Sequence, residues 1–236
     1  MVKLSIVIPV YNEEEKIKNT LNKCLKYLKS NNWDFEFIVV NDGSKDGTSR
    51  IVKNFKKVKL IEHKPNRGKG YSVREGMLNA KGDYILFLDA DLSTPIEELN
   101  KMIKYSDKYD VVIASRAVSE SNVKALHYRK ILGRAFAFLV NILLVSGIHD
   151  TQCGFKLFSK KATRDIFSKQ TVNGWAFDVE VLFLARKFGY KIKEVGVNWQ
   201  HFDHAAAGNV TPAKQSFKML KEILKIRWNS IRGIYN

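Results

Sequence analysis

The chain has 236 residues, 45% of them hydrophobic, which is enough to bury one full core and ordinary for a single α/β domain. Forty Lys and Arg against 24 Asp and Glu give a net charge of +16, which argues for an anionic partner: nucleic acid, a phosphorylated substrate or an anionic lipid surface. The two cysteines, Cys24 and Cys153, lack paired or metal-ligand spacing, which excludes a disulfide scaffold and favours a reducing compartment.

Met1-Val2-Lys3-Leu4-Ser5 leads directly into a strand, so no signal peptide is expected. The β-branched run Leu4-Ser5-Ile6-Val7-Ile8-Pro9-Val10 predicts that first strand. Asn12 followed by Glu15 has the form of a capping box, and Ile17, Leu21, Leu25 and Leu28 then repeat at helical spacing. The turn between strand and helix, Pro9-Val10-Tyr11-Asn12-Glu13, lacks Gly-x-Gly-x-x-Gly, which counts against a dehydrogenase or a methyltransferase of that type. Phe35-Glu36-Phe37-Ile38-Val39-Val40 predicts a second strand running into Asn41-Asp42-Gly43-Ser44, a turn that carries an acid. A short amphipathic helix over residues 46–57 and a third strand over 58–62 come next. In Asn66-Arg67-Gly68-Lys69-Gly70, glycines alternate with cations ahead of a helix bearing Val73, Met77 and Leu78. Backbone N–H groups there, with Arg67 and Lys69, suit a pyrophosphate.

Tyr84-Ile85-Leu86-Phe87-Leu88-Asp89-Ala90-Asp91 is a continuous apolar run ending in two acids one residue apart. It reads as a buried parallel strand whose tip delivers both carboxylates into a crevice, where hard oxygen donors suit a divalent cation. Asp91-Leu92-Ser93-Thr94-Pro95 also has the form of a helix start, with Thr94 as N-cap and Pro95 as first helical residue. Residues 110–114 predict another strand, ending at Ser115-Arg116. Strands and helices alternate throughout, so a mostly parallel sheet flanked by helices is expected, with Asp42, Asp89, Asp91 and Arg116 facing one crevice.

Ile8-Pro9-Val10-Tyr11-Asn12-Glu13, Val40-Asn41-Asp42-Gly43-Ser44, residues 66–70 and Asp89-Ala90-Asp91, in that order and spacing, resemble an inverting family 2 glycosyltransferase of the GT-A fold. Asp150-Thr151-Gln152-Cys153-Gly154-Phe155-Lys156-Leu157-Phe158 and Trp175-Ala176-Phe177-Asp178-Val179-Glu180 narrow the resemblance to dolichyl-phosphate glucosyltransferases, with dolichyl-phosphate mannose synthases as a nearby branch. The likeness spans roughly residues 4 to 200. It implies that Pro9, Tyr11, Glu13 and Asp42 hold the base and ribose of a nucleotide sugar. Arg67, Lys69, Asp89, Ala90 and Asp91 would then lie along the ribose and diphosphate, with Mg²⁺ or Mn²⁺ at Asp91 and Ser93. Arg116, Arg129 and Arg134 would receive the phosphate of a polyprenyl (dolichyl) acceptor, a role matched to the donor fork of arginine. Tyr11 equally suits packing at a strand end, and Arg134 a solvated helix face.

The implied activity is transfer of a sugar, glucose from UDP-glucose first and mannose from GDP-mannose or GlcNAc from UDP-GlcNAc as alternatives. A lipid phosphate is already anionic, so positioning and leaving-group charge would dominate. The implied catalytic set is Asp89, Asp91, Arg116 and Asp178, although Asp178 and Glu180 also suit the start of the helix that follows. Residues 135–148 are nearly all apolar but short and interrupted by Asn141, which reads as interfacial or core rather than spanning. Over residues 213–235, Phe217, Leu220, Leu224, Trp228, Ile231 and Tyr235 recur at helical spacing among Lys214, Lys218, Lys221, Lys225 and Arg232. Such a helix binds an anionic membrane surface or docks on the catalytic domain. A transferase domain over residues 1–210 with a tail helix over 211–236, peripheral to the cytoplasmic face of a membrane, is therefore expected. The chain departs from the family at Gly196, where relatives often carry Pro, and over residues 201–210, which lack the usual basic loop.

Nucleic acid is not expected as a partner, because the cations are not interleaved with a recognition helix or stacking motif and the crevice acids, without a metal, repel phosphates. A nucleotidyltransferase would share the fold and metal but carries a Gly-rich loop where Tyr11-Asn12-Glu13 stands.

Overall fold

The computed structural model describes residues 3–118, 121–124, 144–200 and 212–236, with the side chains of residues 122–124 and 212–217 excepted. Arg129, Arg134, most of the apolar stretch 135–148 and the loop 201–210 lie outside the described residues. Seven strands form the main sheet in the order β3-β2-β1-β4-β7-β5-β8. They are β1 (Lys3–Val10), β2 (Asp34–Asn41), β3 (Val58–Glu62), β4 (Tyr84–Leu88), β5 (Val111–Ser115), β7 (Phe155–Ser159) and β8 (Ile192–Gly196). Pairings are parallel except those of β7, which runs antiparallel to both β4 and β5. A separate parallel pair joins β6 (Asn122–Lys124) to β9 (Asn198–Gln200). This is the expected architecture, a mostly parallel sheet between helices.

Alternation along the strands divides the core in two. Leu4, Ile6 and Ile8 of β1, with Leu86 and Leu88 of β4, face helix α1 (Glu14–Ser30), the short α2 (Thr48–Lys53) and α4 (Leu99–Met102). Val7 of β1, with Ile85 and Phe87 of β4, faces α3 (Lys69–Asn79), α5 (Lys160–Lys169), α6 (Phe177–Lys187) and the C-terminal helix α7 (Pro212–Ile231). The apolar run of β4 is needed because both of its faces are covered. Each fully buried Leu or Ile there contributes about 1.5–3 kcal/mol.

Two local expectations are corrected. Asn12 is not a helix cap: it sits in the left-handed region at φ 54°, the cap position is Glu13, and no side chain caps α1. Its Oδ1 instead accepts the Lys45 N–H at 2.8 Å, while its own N–H donates to Ser44 Oγ at 2.9 Å, tying the turn after β1 to the turn after β2. Thr94 likewise caps nothing; Pro95 precedes a 3₁₀ turn, Ile96–Glu98, and the segment continues through α4 into a second 3₁₀ turn, Ile103–Tyr105. Asp91 instead closes the turn, its Oδ1 accepting the Ser93 N–H at 2.8 Å across Leu92 at φ 53°.

Candidate active site

Because β1, β2, β4 and β5 point the same way, the residues that follow them gather at one edge of the sheet, where open α/β sheets bind ligands. Running against them, β7 begins at this edge and brings residues 150–154 with it. The crevice is thus built from the turn after β1 (Tyr11, Glu13), Asp42, the Asp89-Ala90-Asp91 tip, Arg116, and Asp150 and Gly154.

Its acids are held in distinct ways. Asp42 is buried, and its two oxygens accept the backbone N–H groups of Arg67 at 2.7 Å and Gly68 at 2.9 Å. His63 Nδ1 approaches Asp42 Oδ1 to 3.2 Å without making a hydrogen bond. Two N–H groups of the glycine loop therefore grip an internal carboxylate, and the loop's cation for the crevice is Lys69, whose Nζ meets Asp89 Oδ1 at 2.7 Å. Burial works against the Lys69 charge, but Asp89 and Asp178 outweigh it and hold its pKa above the ordinary lysine value. Gly154 lets the β7 entrance close over Asp89: a Cβ there would lie 1.8 Å from Asp89 Oδ2 and would force the carboxylate to shift. Ala90 is buried, and its carbonyl accepts the Thr20 hydroxyl, which fixes the tip to α1. Pro9 is buried in β1, and Tyr11 is partly exposed at the strand end.

Arg116 makes a bidentate pair with Asp150, Nε to Oδ2 at 2.7 Å and Nη2 to Oδ1 at 2.8 Å, and its backbone N–H adds a third bond at 2.8 Å. Burial pushes the Asp150 carboxyl up, yet the guanidinium fork overrides it and leaves the pKa below the ordinary carboxylate value. Below the crevice floor, fully buried Lys156 bonds Asp178 and donates to the Cys153 carbonyl at 2.7 Å. Desolvation raises the Asp178 pKa although Lys156 and Lys69 both pull it down. Glu180 serves the fold: its carboxylate takes the Thr171 N–H (2.9 Å) and hydroxyl (2.6 Å), the Val172 N–H (2.8 Å) and the Tyr235 hydroxyl (2.6 Å).

Lys156 and Asp150 escaped the sequence reading as individual residues. The available signal was a lysine inside the apolar run Phe155-Lys156-Leu157-Phe158, since a lysine on a buried strand demands a carboxylate partner. Trp175 is the other, a half-exposed ring with Lys69 Nζ 4.9 Å from its centroid. Among the described residues no three His, Cys, Asp or Glu side chains gather as a metal site. Asp91, with the buried Ser93 beside it, fits a hard cation that draws its other ligands from a diphosphate and water.

The family model for glycosyl transferase family 2 matches residues 5–167, which contain the β1 turn, Asp42, the glycine loop and the Asp89-Ala90-Asp91 tip. The chain belongs to glycosyl transferase family 2. This family 2 transferase is 36% identical to a dolichyl-phosphate beta-glucosyltransferase of Dictyostelium discoideum, over 98% of this chain and 76% of that protein. It is also 36% identical to the dolichyl-phosphate beta-glucosyltransferase of Homo sapiens, over 98% of this chain and 77% of that one. Among solved structures, glucosyl-3-phosphoglycerate synthase from Mycobacterium tuberculosis, crystallised with Mn²⁺, UDP-glucose and phosphoglyceric acid, superposes with a TM-score of 0.70. That match covers 96% of this transferase and 80% of the synthase at 17% identity, a likeness of fold.

Proposed function

We propose that this transferase moves glucose from UDP-glucose to a polyprenyl phosphate of the dolichyl type, with inversion at the anomeric carbon, at the cytoplasmic face of a membrane. The observation that carries the reading is the 36% identity to dolichyl-phosphate beta-glucosyltransferases across nearly the whole chain. The crevice supports it with the required chemistry. Tyr11, Glu13 and Asp42 line the side on which base and ribose would lie, while Asp89 and Asp91 stand at the diphosphate. Mg²⁺ or Mn²⁺ bound at Asp91 and Ser93 supplies Lewis-acid stabilisation of the departing diphosphate. Lys69, anchored on Asp89, adds positive charge where the leaving group gathers negative charge.

The acceptor needs no strong base. An oxygen of the lipid phosphate attacks the anomeric carbon from the face opposite the diphosphate; the new C–O bond forms as the old one breaks, and UDP leaves with the bonding pair. Asp178, buried and paired with Lys156, holds the floor rather than meeting the acceptor. Arg116, oriented by Asp150, presents the cationic wall at the β5 end, and we assign Arg129 and Arg134 to the same acceptor phosphate.

The outer face of α7 supports the membrane location. Leu224 is 55% exposed, Trp228 58% and Ile231 68%, in line with Leu220, and Lys221, Arg227 and Arg232 lie beside the stripe. An apolar stripe rimmed by cations matches an anionic lipid interface. No helix among the described residues is long and apolar enough to cross a membrane. Two buried free thiols, Cys24 and Cys153, accord with a reducing compartment. Calorimetric titration with UDP and GDP in the presence of Mg²⁺ tests the donor: on the likeness to the glucosyltransferases, UDP should bind and GDP should be at least about tenfold weaker. Tight GDP binding with undetectable UDP would assign a guanine nucleotide instead.

A further inference from the structure

A second cavity, of about 380 Å³, lies beside the crevice between the loop of residues 66–68, the loop of residues 171–174 and helix α7. Arg67 lines it from the first loop, and Lys218, Glu222 and Lys225 line it from one face of α7, where spacings of four and three residues bring side chains together. Glu222 is already engaged, its Oε2 accepting the Ala176 N–H at 3.0 Å at the start of α6, where a carboxylate complements the helix dipole. Three cations against one committed carboxylate leave the cavity with a surplus of two positive charges.

We propose that this cavity binds a phosphomonoester dianion, separately from the nucleotide-sugar crevice. Arg67, whose Nη1 donates to the Tyr71 hydroxyl while its remaining N–H donors stay for an anion, and two lysine point charges are the groups that recognise phosphate oxygens. A monoester carries about −1.5 to −2 charges near neutral pH, which matches the surplus. The volume falls within the roughly 300–1,000 Å³ of small-ligand sites, leaving room for an organic group beyond the phosphate. Occupancy also reaches the crevice: the loop that supplies Arg67 donates two N–H groups to Asp42, so an anion drawing Arg67 toward α7 steadies the same loop from behind. A soluble phosphate ester and a lipid headgroup offer the same chemistry, and α7 with its bare apolar stripe brings the cavity within reach of both.

The test uses the full chain and needs neither sugar donor nor acceptor, so it stands or falls independently of the transferase reading. Inorganic phosphate is titrated calorimetrically into the wild type, the Lys218→Gln/Lys225→Gln variant, Arg67→Gln, and Lys69→Gln as a crevice control. Saturable binding is expected in the wild type and in Lys69→Gln, weakened at least about tenfold in the lysine double variant and in Arg67→Gln, from opposite walls of the cavity. A second arm compares co-sedimentation with vesicles containing phosphatidic acid, a monoester, or phosphatidylglycerol, a diester, at matched surface charge. A monoester preference that the double variant loses assigns a lipid headgroup; phosphate binding without that preference assigns a soluble ester. Absence of both phosphate binding and monoester preference overturns the proposal. So does phosphate binding that Lys69→Gln abolishes and the cavity variants leave intact.

Discussion

Asp91 is oriented before any ligand arrives, because the Ser93 N–H fixes one carboxylate oxygen across the tight turn at Leu92. Asp91→Asn keeps that hydrogen bond but gives a neutral ligand, so transfer should fall by about 100-fold or more while folding is retained. Chelator should have the same effect on the unaltered enzyme, and full turnover in chelator would remove the metal from the mechanism. Arg116–Asp150 gives a second residue-scale expectation, in stability. The folded-state pKa of Asp150 is depressed, so the pair's contribution is fully present above the unfolded carboxyl value near 3.9 and is lost as pH falls through the folded value. Asp150→Asn should therefore cost about 2 kcal/mol at pH 7, less than a fully buried pair because Arg116 is 32% exposed. In urea unfolding the gap between variant and wild type should narrow on acidification below about pH 4; a gap constant with pH would mean that the ion pair is not its source. The acids were legible in the sequence as strand-end residues, but their partners were not. Asp150 meets Arg116 across 34 residues and Lys156 meets Asp178 across 22, and such pairings are created by packing with no local pattern to announce them.

Helix α7 shows why a single periodicity can mislead. The sequence pattern placed Tyr235 in line with Leu220, Leu224, Trp228 and Ile231, yet the helix ends at Ile231 and the chain reverses through Gly233 at φ 72°. The Ile234 N–H closes on the Asn229 carbonyl at 3.0 Å, and Tyr235 turns inward to Glu180, fully buried. Ile223, Ile226 and Tyr235 therefore anchor the helix in the core shared with α6, while the other stripe stays outside. Docking on the domain and lipid binding were alternatives in the sequence; the structure shows one face docked, and the exposed face is the one we propose for lipid. Removing the whole tail would expose that core, so the membrane reading is tested by substitution: Leu224→Ser/Trp228→Ser should sharply reduce co-sedimentation with anionic vesicles while thermal unfolding and UDP binding remain unchanged. Co-sedimentation by the unaltered chain should weaken with salt, since each Lys or Arg near an anionic leaflet is worth about 1 kcal/mol. Vesicle binding that ignores these substitutions would place the membrane contact elsewhere.

At the scale of the molecule, the alternation of strands and helices announced the sheet, and the strand-end motifs announced which edge would be chemical. What alternation could not announce was the reversal of β7, which enters between β4 and β5 from the opposite direction. That reversal sets Gly154 against Asp89, puts Asp150 under Arg116 and drives Lys156 into the floor, so half of the crevice wall depends on a pairing between distant segments. Part of the net charge of +16 now has two local expressions: the exposed cations of α7 and the cavity lined by Arg67, Lys218 and Lys225. The central claim is the chemistry done in the crevice. It is tested most directly by incubating the chain with Mg²⁺, a polyprenyl phosphate in detergent and, in parallel, radiolabelled UDP-glucose, UDP-GlcNAc or GDP-mannose, then extracting the lipid. Label should enter the lipid fraction from UDP-glucose, only when the polyprenyl phosphate is present and not with Asp91→Asn; label entering from GDP-mannose alone, or from no donor, would contradict it.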